Sequence, residues 1–62
     1  IDLLLVYDDH IDIIDYKLKN TIDEAYKEQL LGYKKFIENK TNKKTNTYLY
    51  SLINQQMFQI LQ

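Results

Sequence analysis

Two short runs rich in Ile, Leu, Val and Tyr, residues 1–7 and 11–18, are separated only by Asp8-Asp9-His10. Apolar runs across so short a polar break predict a β-hairpin. With Asp8-Asp9 as a two-residue turn, Tyr7 pairs with His10, Val6 faces Ile11, Leu4 faces Ile13 and Asp2 faces Asp15. Side chains alternate along a strand, so these inward partners and Lys17 share one face of the hairpin. Ile1, Leu3, Leu5, Ile14 and Tyr16 take the other face. Apolar groups on both faces predict a hairpin covered on both sides. A three-residue loop would instead set Asp2 and Asp15 on opposite faces, so the relation of the two acids depends on register.

Further along, Thr21-Ile22-Asp23-Glu24 fits a capping box with Thr21 as N-cap. The helix it opens is expected to run to about Lys40, with Tyr26, Leu30, Tyr33 and Ile37 as its buried stripe. Gly32 interrupts that helix at a cost of about 1 kcal/mol relative to alanine, which suggests close packing there. Residues 39–46 are polar and read as a loop. Residues 47–53 read as a third strand, with Tyr48 and Tyr50 on one face and Leu49 on the other. Asn54-Gln55-Gln56 then turns the chain into a short apolar run, residues 57–61, which is a candidate fourth strand. No repeat or boundary divides the chain. Residues 1–62 form one α+β (α/β-like) unit of order β-β-α-β: a hairpin, one helix and one or two further strands.

Composition narrows the chemistry. A chain of 62 residues buries only ~60% of the surface its unfolded form exposes, so its core needs support. There is no cysteine, hence no disulfide and no thiolate metal site. Ser51 and His10 are the only candidates for triad chemistry, and nothing in the pattern brings them together. Eight lysines against nine acids give a net charge of −1, which argues against a stand-alone nucleic-acid binder. It does not argue against an enzyme that meets nucleic acid through metal ions, because acidic ligands lower the net charge. A hydrophobic content of 45%, with six Tyr and two Phe, excludes a disordered tail. The longest apolar run, residues 3–7, is far short of the ~20 residues of a membrane span. No leader is visible, and a cytoplasmic protein is expected. With no initiator Met and a start on strand-like sequence, the chain reads as a piece of a larger protein.

The informative residues are Asp2, Asp15 and Lys17. Two carboxylates directly opposite in a sheet repel one another, and a divalent cation converts that repulsion into ligation. Mg²⁺ is commonly held by one or two carboxylates together with water and substrate phosphate. It polarises a phosphoryl oxygen and yields a nucleophilic hydroxide near neutral pH. An ammonium two residues beyond the second carboxylate can orient water or balance developing charge. An acid-x-Lys pattern alone carries little weight, and Glu38-Asn39-Lys40 is a decoy of the same form. What distinguishes Asp15-Tyr16-Lys17 is its place at the end of an apolar strand facing a second Asp. Gln29 and Tyr33, at i and i+4, add polar groups on one helical face.

Strand–Asp, strand–Ile-Ile-Asp-Tyr-Lys and helix–Gln-x-x-x-Tyr together resemble the RecB-like branch of the PD-(D/E)xK nucleases, from Asp2 to Tyr33. The resemblance implies a restriction-endonuclease-like core, of which this chain would be a part lacking the family's upstream helix. It implies Asp2 and Asp15 as ligands of Mg²⁺ or Mn²⁺, Lys17 as the residue assisting catalysis, and Gln29 and Tyr33 as signature residues near the site. It further implies a magnesium-dependent, exonuclease-type deoxyribonuclease within a RecB- or AddA-type helicase-nuclease that processes DNA double-strand ends, with DNA and the rest of that assembly as partners. The family's further His or Glu ligand and the Gly before its first Asp precede the chain, and the cysteines of its iron–sulfur relatives are absent from it. The alternative is a non-catalytic module that keeps the fold for DNA binding or protein interaction. Lys34, Lys35, Lys40, Lys43 and Lys44 form either a solvated charged face or a track for a DNA backbone. His10 is expected to be solvated in its turn. The uncovered apolar surface predicts a homodimer, or an exchange of elements through residues 57–61, and little activity in the isolated chain.

Overall fold

The computed structural model describes residues 2–18 and 23–61. Five elements follow in order: β1 (Leu3–Val6), β2 (His10–Lys17), α1 (Glu24–Thr41), β3 (Lys44–Ser51) and β4 (Gln56–Ile60). The strands form one mixed sheet in the order β1-β2-β3-β4. β1 and β2 are antiparallel, β2 and β3 are parallel across the α1 crossover, and β3 and β4 are antiparallel. The fold is therefore α+β, with one helix on a four-stranded sheet.

The hairpin has the expected register, Leu4 opposite Ile13 and Val6 opposite Ile11. Tyr7 N–H donates to the His10 carbonyl at 2.8 Å and closes the Asp8-Asp9 turn. At the open end Asp2 N–H donates to Ile14 O at 3.2 Å. Asp2 and Asp15 therefore lie on the same face.

Ile11 and Ile13 of β2, Leu49 of β3 and Ile60 of β4 bury together with Leu30 of α1. Tyr26, Tyr33 and Ile37 of the expected stripe pack against this cluster, joined by Leu31. The helix lies chiefly over β3 and reaches β4. β1 is left at the margin: Leu4 is 48% and Val6 61% exposed. The expectation of a hairpin covered on both sides is thus corrected, since a single helix spans too little of the sheet to reach its first strand. Among the described residues no helix covers the outer face. There Ile14 is buried, flanked by Leu3 and Tyr48 in the paired register, while Tyr16 meets Tyr50 edge-on with ring centroids 6.0 Å apart.

Three boundaries differ from the sequence reading. The expected N-cap, Thr21, lies outside the described residues; the helix is capped by Asp23, whose extended backbone lets its side chain accept from Ala25 N–H at 2.8 Å. The loop expected over residues 39–46 shrinks to Asn42-Lys43. α1 runs on to Thr41 and stops where Asn42 adopts a left-handed conformation (φ 58°), its N–H donating to Glu38 O at 2.9 Å. β3 then begins at Lys44, because Thr45 and Thr47 are β-branched residues that fill inward positions and are fully buried. Thr47 Oγ1 donates to Ile60 O at 2.7 Å, and Thr45 N–H donates to Glu38 Oε2 at 2.9 Å. Residues 57–61 contribute β4 to the chain's own sheet up to Ile60.

Candidate functional site

The end of the sheet where β1 begins and β2 ends gathers the sequence-predicted residues. Asp15 is inward-facing and buried, next to Leu49 in the parallel register. Burial of a carboxylate is costly without a partner. Its partner is Lys17, whose Nζ lies 3.1 Å from Asp15 Oδ2. The two share the inner face because they are two residues apart on one strand. Lys17 is held from both ends: its carbonyl accepts from Leu52 N–H at 2.8 Å, and its ammonium lies 4.0 Å from the centroid of the Tyr26 ring. A cation over an aromatic face is attracted by the ring quadrupole.

Asp2 completes the group. Its Oδ2 accepts from Tyr16 N–H at 2.8 Å, across the hairpin. A hydrogen bond shared with the Asp15 carboxyl, reinforced by the Tyr16 N–H and by the Lys17 charge, holds the Asp2 carboxyl below its ordinary range. Asp2, Asp15 and Lys17 therefore form a contiguous cluster at the sheet end, where an added cation competes with the Lys17 ammonium.

Gln29 and Tyr33 occupy a neighbouring place. Gln29 Nε2 donates to Tyr33 Oη at 3.4 Å along one flank of α1. Both line an open groove of about 820 Å³ with Leu4, which follows Asp2 on the inner face of β1. Neither Asp2 nor Asp15 lines that groove, so the structure does not join Gln29 and Tyr33 to the acid pair. Tyr26 is the residue that the sequence reading assigned only to the core stripe. Its contact with Lys17 links residues on two different elements, and no spacing rule along the chain signals it.

The other candidates disperse. His10 is half-buried rather than solvated: its ring stacks on Tyr7 at 4.3 Å, and Nδ1 lies 2.6 Å from Asp9 Oδ1. Lys43 donates to Tyr7 O at 2.9 Å, tying the start of β3 to the hairpin turn, and Lys40 lies 5.7 Å from the Phe36 ring. Lys34 and Lys35 flank a shallow polar hollow with Leu31 and Glu38 on the helix. Among the described residues no group of three or more His, Cys, Asp or Glu converges as a metal site, and no helix is long and apolar enough to cross a membrane.

No family model, no curated protein and no solved structure matches this chain.

Proposed function

We propose that this chain carries the catalytic motifs of a metal-dependent DNA nuclease, a RecB-like member of the PD-(D/E)xK group, which hydrolyses phosphodiesters. The observation that supports it is the acid pair: Asp2, held by the Tyr16 N–H at 2.8 Å, faces Asp15 across the hairpin, with the Lys17 ammonium 3.1 Å from Asp15. The mixed sheet with a helical crossover from β2 to β3 is compatible with the restriction-endonuclease-like core that the resemblance implies. Fold alone does not argue function, so the reading rests on the cluster.

The donor set fits a hard cation. Two adjacent carboxylates at the margin of a sheet leave room for the waters and phosphate oxygens that Mg²⁺ or Mn²⁺ retains. Asp2 and Asp15 would hold the ion, which supplies Lewis-acid polarisation of phosphate and a more acidic bound water. Lys17, fixed between Asp15 and the Tyr26 ring, keeps a positive charge where negative charge builds on a phosphate. Tyr16 N–H fixes the orientation of Asp2. Gln29 and Tyr33 offer hydrogen-bonding groups beside the groove. In this reading the chain works in the cytoplasm as the exonuclease-type part of a helicase-nuclease acting on DNA double-strand ends. The second reading, a non-catalytic module for DNA or protein interaction, draws on the exposed apolar Leu4 and Val6 of β1 and Phe36 of α1.

Metal binding separates the two readings. Mn²⁺ added to the chain should broaden the backbone NMR signals of Asp2, Asp15 and Tyr16, with Mg²⁺ competing. Asp2→Asn and Asp15→Asn should each weaken this by about 10-fold or more. Broadening that is absent, or unchanged in both variants, overturns the nuclease reading and leaves the interaction module. In a complete nuclease, Asp15→Ala or Lys17→Ala should abolish DNA cleavage and spare ATP hydrolysis.

A further inference from the structure

The groove between β1 and α1 has a floor that the sequence makes expensive. Gly32 sits in the middle of α1, where alanine would be the better helix former, and a Cβ placed there meets nothing within 4 Å. The close packing that would justify the glycine is not supplied by this chain's described residues. One turn on, Phe36 is 62% exposed and lines the same groove. A hollow and a projecting aromatic one turn apart on one helix form a surface that fits a second copy of itself.

The charges of α1 point the same way. Its first half carries Glu24, Lys27 and Glu28 just after Asp23, and its second half carries Lys34, Lys35, Glu38 and Lys40, so the first half is net acidic and the second net basic. Glu28 and Lys35 are seven residues apart, nearly two full turns, and so lie on one flank of the Gly32 line. Both are exposed, and neither takes part in an ion pair among the described residues. When two antiparallel helices are related by a two-fold axis at Gly32, each flank meets the same flank of the other helix running backwards. Glu28 of each copy then stands opposite Lys35 of the other, and the acidic half of one helix lies along the basic half of its mate. A parallel arrangement would set like charges together.

We infer that two copies of this chain associate through antiparallel α1 helices that cross at Gly32, with the Phe36 of each seated in the groove of the other. The Glu28–Lys35 pairs at the rim select this orientation, since like charges brought together there disfavour the complex.

Charge reversal tests this directly. By sedimentation, the chain should form a dimer as its concentration rises towards about millimolar. Glu28→Lys alone and Lys35→Glu alone should each weaken self-association about 10-fold, with the far-UV dichroism unchanged because both sites are exposed. An equimolar mixture of the two variants should dimerise again as a heterodimer, in which every rim pair is complementary. Gly32→Leu, whose Cβ meets nothing within 4 Å of its own chain, should fold and stay monomeric. A wild-type chain that remains a monomer throughout overturns the inference. So does a dimer that both charge variants preserve, which would place the contact elsewhere, such as the β1 edge, or a mixture that fails to recover.

Discussion

The covered part of the sheet and its β1 edge are built from the same kinds of residue and meet different fates. Under α1, Ile11, Ile13, Leu49 and Ile60 close on Leu30, and even Thr45 and Thr47 are fully buried. On β1, the equally apolar Leu4 and Val6 share the inner face and remain exposed. Apolarity names a residue's preference. Burial depends on where the one helix lands, and the β2–α1–β3 crossover sets it over β3 and β4. The acid pair lies at the seam between the two regions: Asp15 is buried with the core, and Asp2 is exposed at the start of the margin. A carboxylate rooted in a rigid core and facing a second one open to solvent is a sensible arrangement for taking up a cation.

The largest expected effect breaks that contrast open. Leu30→Ala removes a fully buried side chain from the middle of the cluster and should cost about 2–5 kcal/mol. Val6→Ala, at the same depth in the alternating pattern but outside the helix's reach, should fall within about 0.5 kcal/mol of wild type. Urea unfolding of both variants at one dilute concentration checks this. Comparable losses would mean that β1 is covered in solution.

A smaller effect sharpens the same comparison on the helix itself. Gly32→Ala should stabilise the dilute chain by about 1 kcal/mol, because alanine is the better helix former and its methyl group meets nothing in the groove. A loss of stability in thermal unfolding would show that something in the chain packs there.

How much of this was legible in the sequence follows from how local each determinant is. The hairpin register was legible because Asp8-Asp9 permits a two-residue turn, and alternation then places Asp2, Asp15 and Lys17 together. The helix stripe was legible because Tyr26, Leu30, Tyr33 and Ile37 repeat at its period. The start of β3 was not. Lys44-Thr45-Asn46-Thr47 is polar by composition, yet its threonines bury their β-branched bodies and place their hydroxyls on carbonyl oxygens. The start of α1 is set by Asp23, whose own carboxylate reaches Ala25 N–H; the expected cap, Thr21, lies outside the described residues. The Lys17–Tyr26 stack and the open groove beside Leu4 both depend on the docking of α1 against the sheet, which no pattern within one element encodes.

The smallest effect concerns acid. Asp2, at the seam, and Asp9, in the hairpin turn, both have carboxyls held below the ordinary 3.8. For Asp2 the cause is first the hydrogen bond shared with Asp15 and then the Tyr16 N–H; for Asp9 it is first the hydrogen bond to the His10 ring. A carboxyl whose value is lower in the folded chain than in the unfolded one stabilises the fold fully above the unfolded value. That contribution is lost as the pH falls past 3.8 and through the lower folded value. Both groups are open to solvent, so the effect is modest and weakens with salt. Asp2→Asn should flatten part of the acid limb of a stability–pH curve measured from about pH 6 to about pH 2, and Asp9→Asn should flatten another part. Both losses are fully present at neutral pH and shrink towards wild type as the pH falls through the lowered values; Asp2→Asn should show the larger loss, because it also disturbs the acid pair. Equal losses in the two variants at neutral pH would mean that the pairing of Asp2 with Asp15 at the seam adds nothing to the fold.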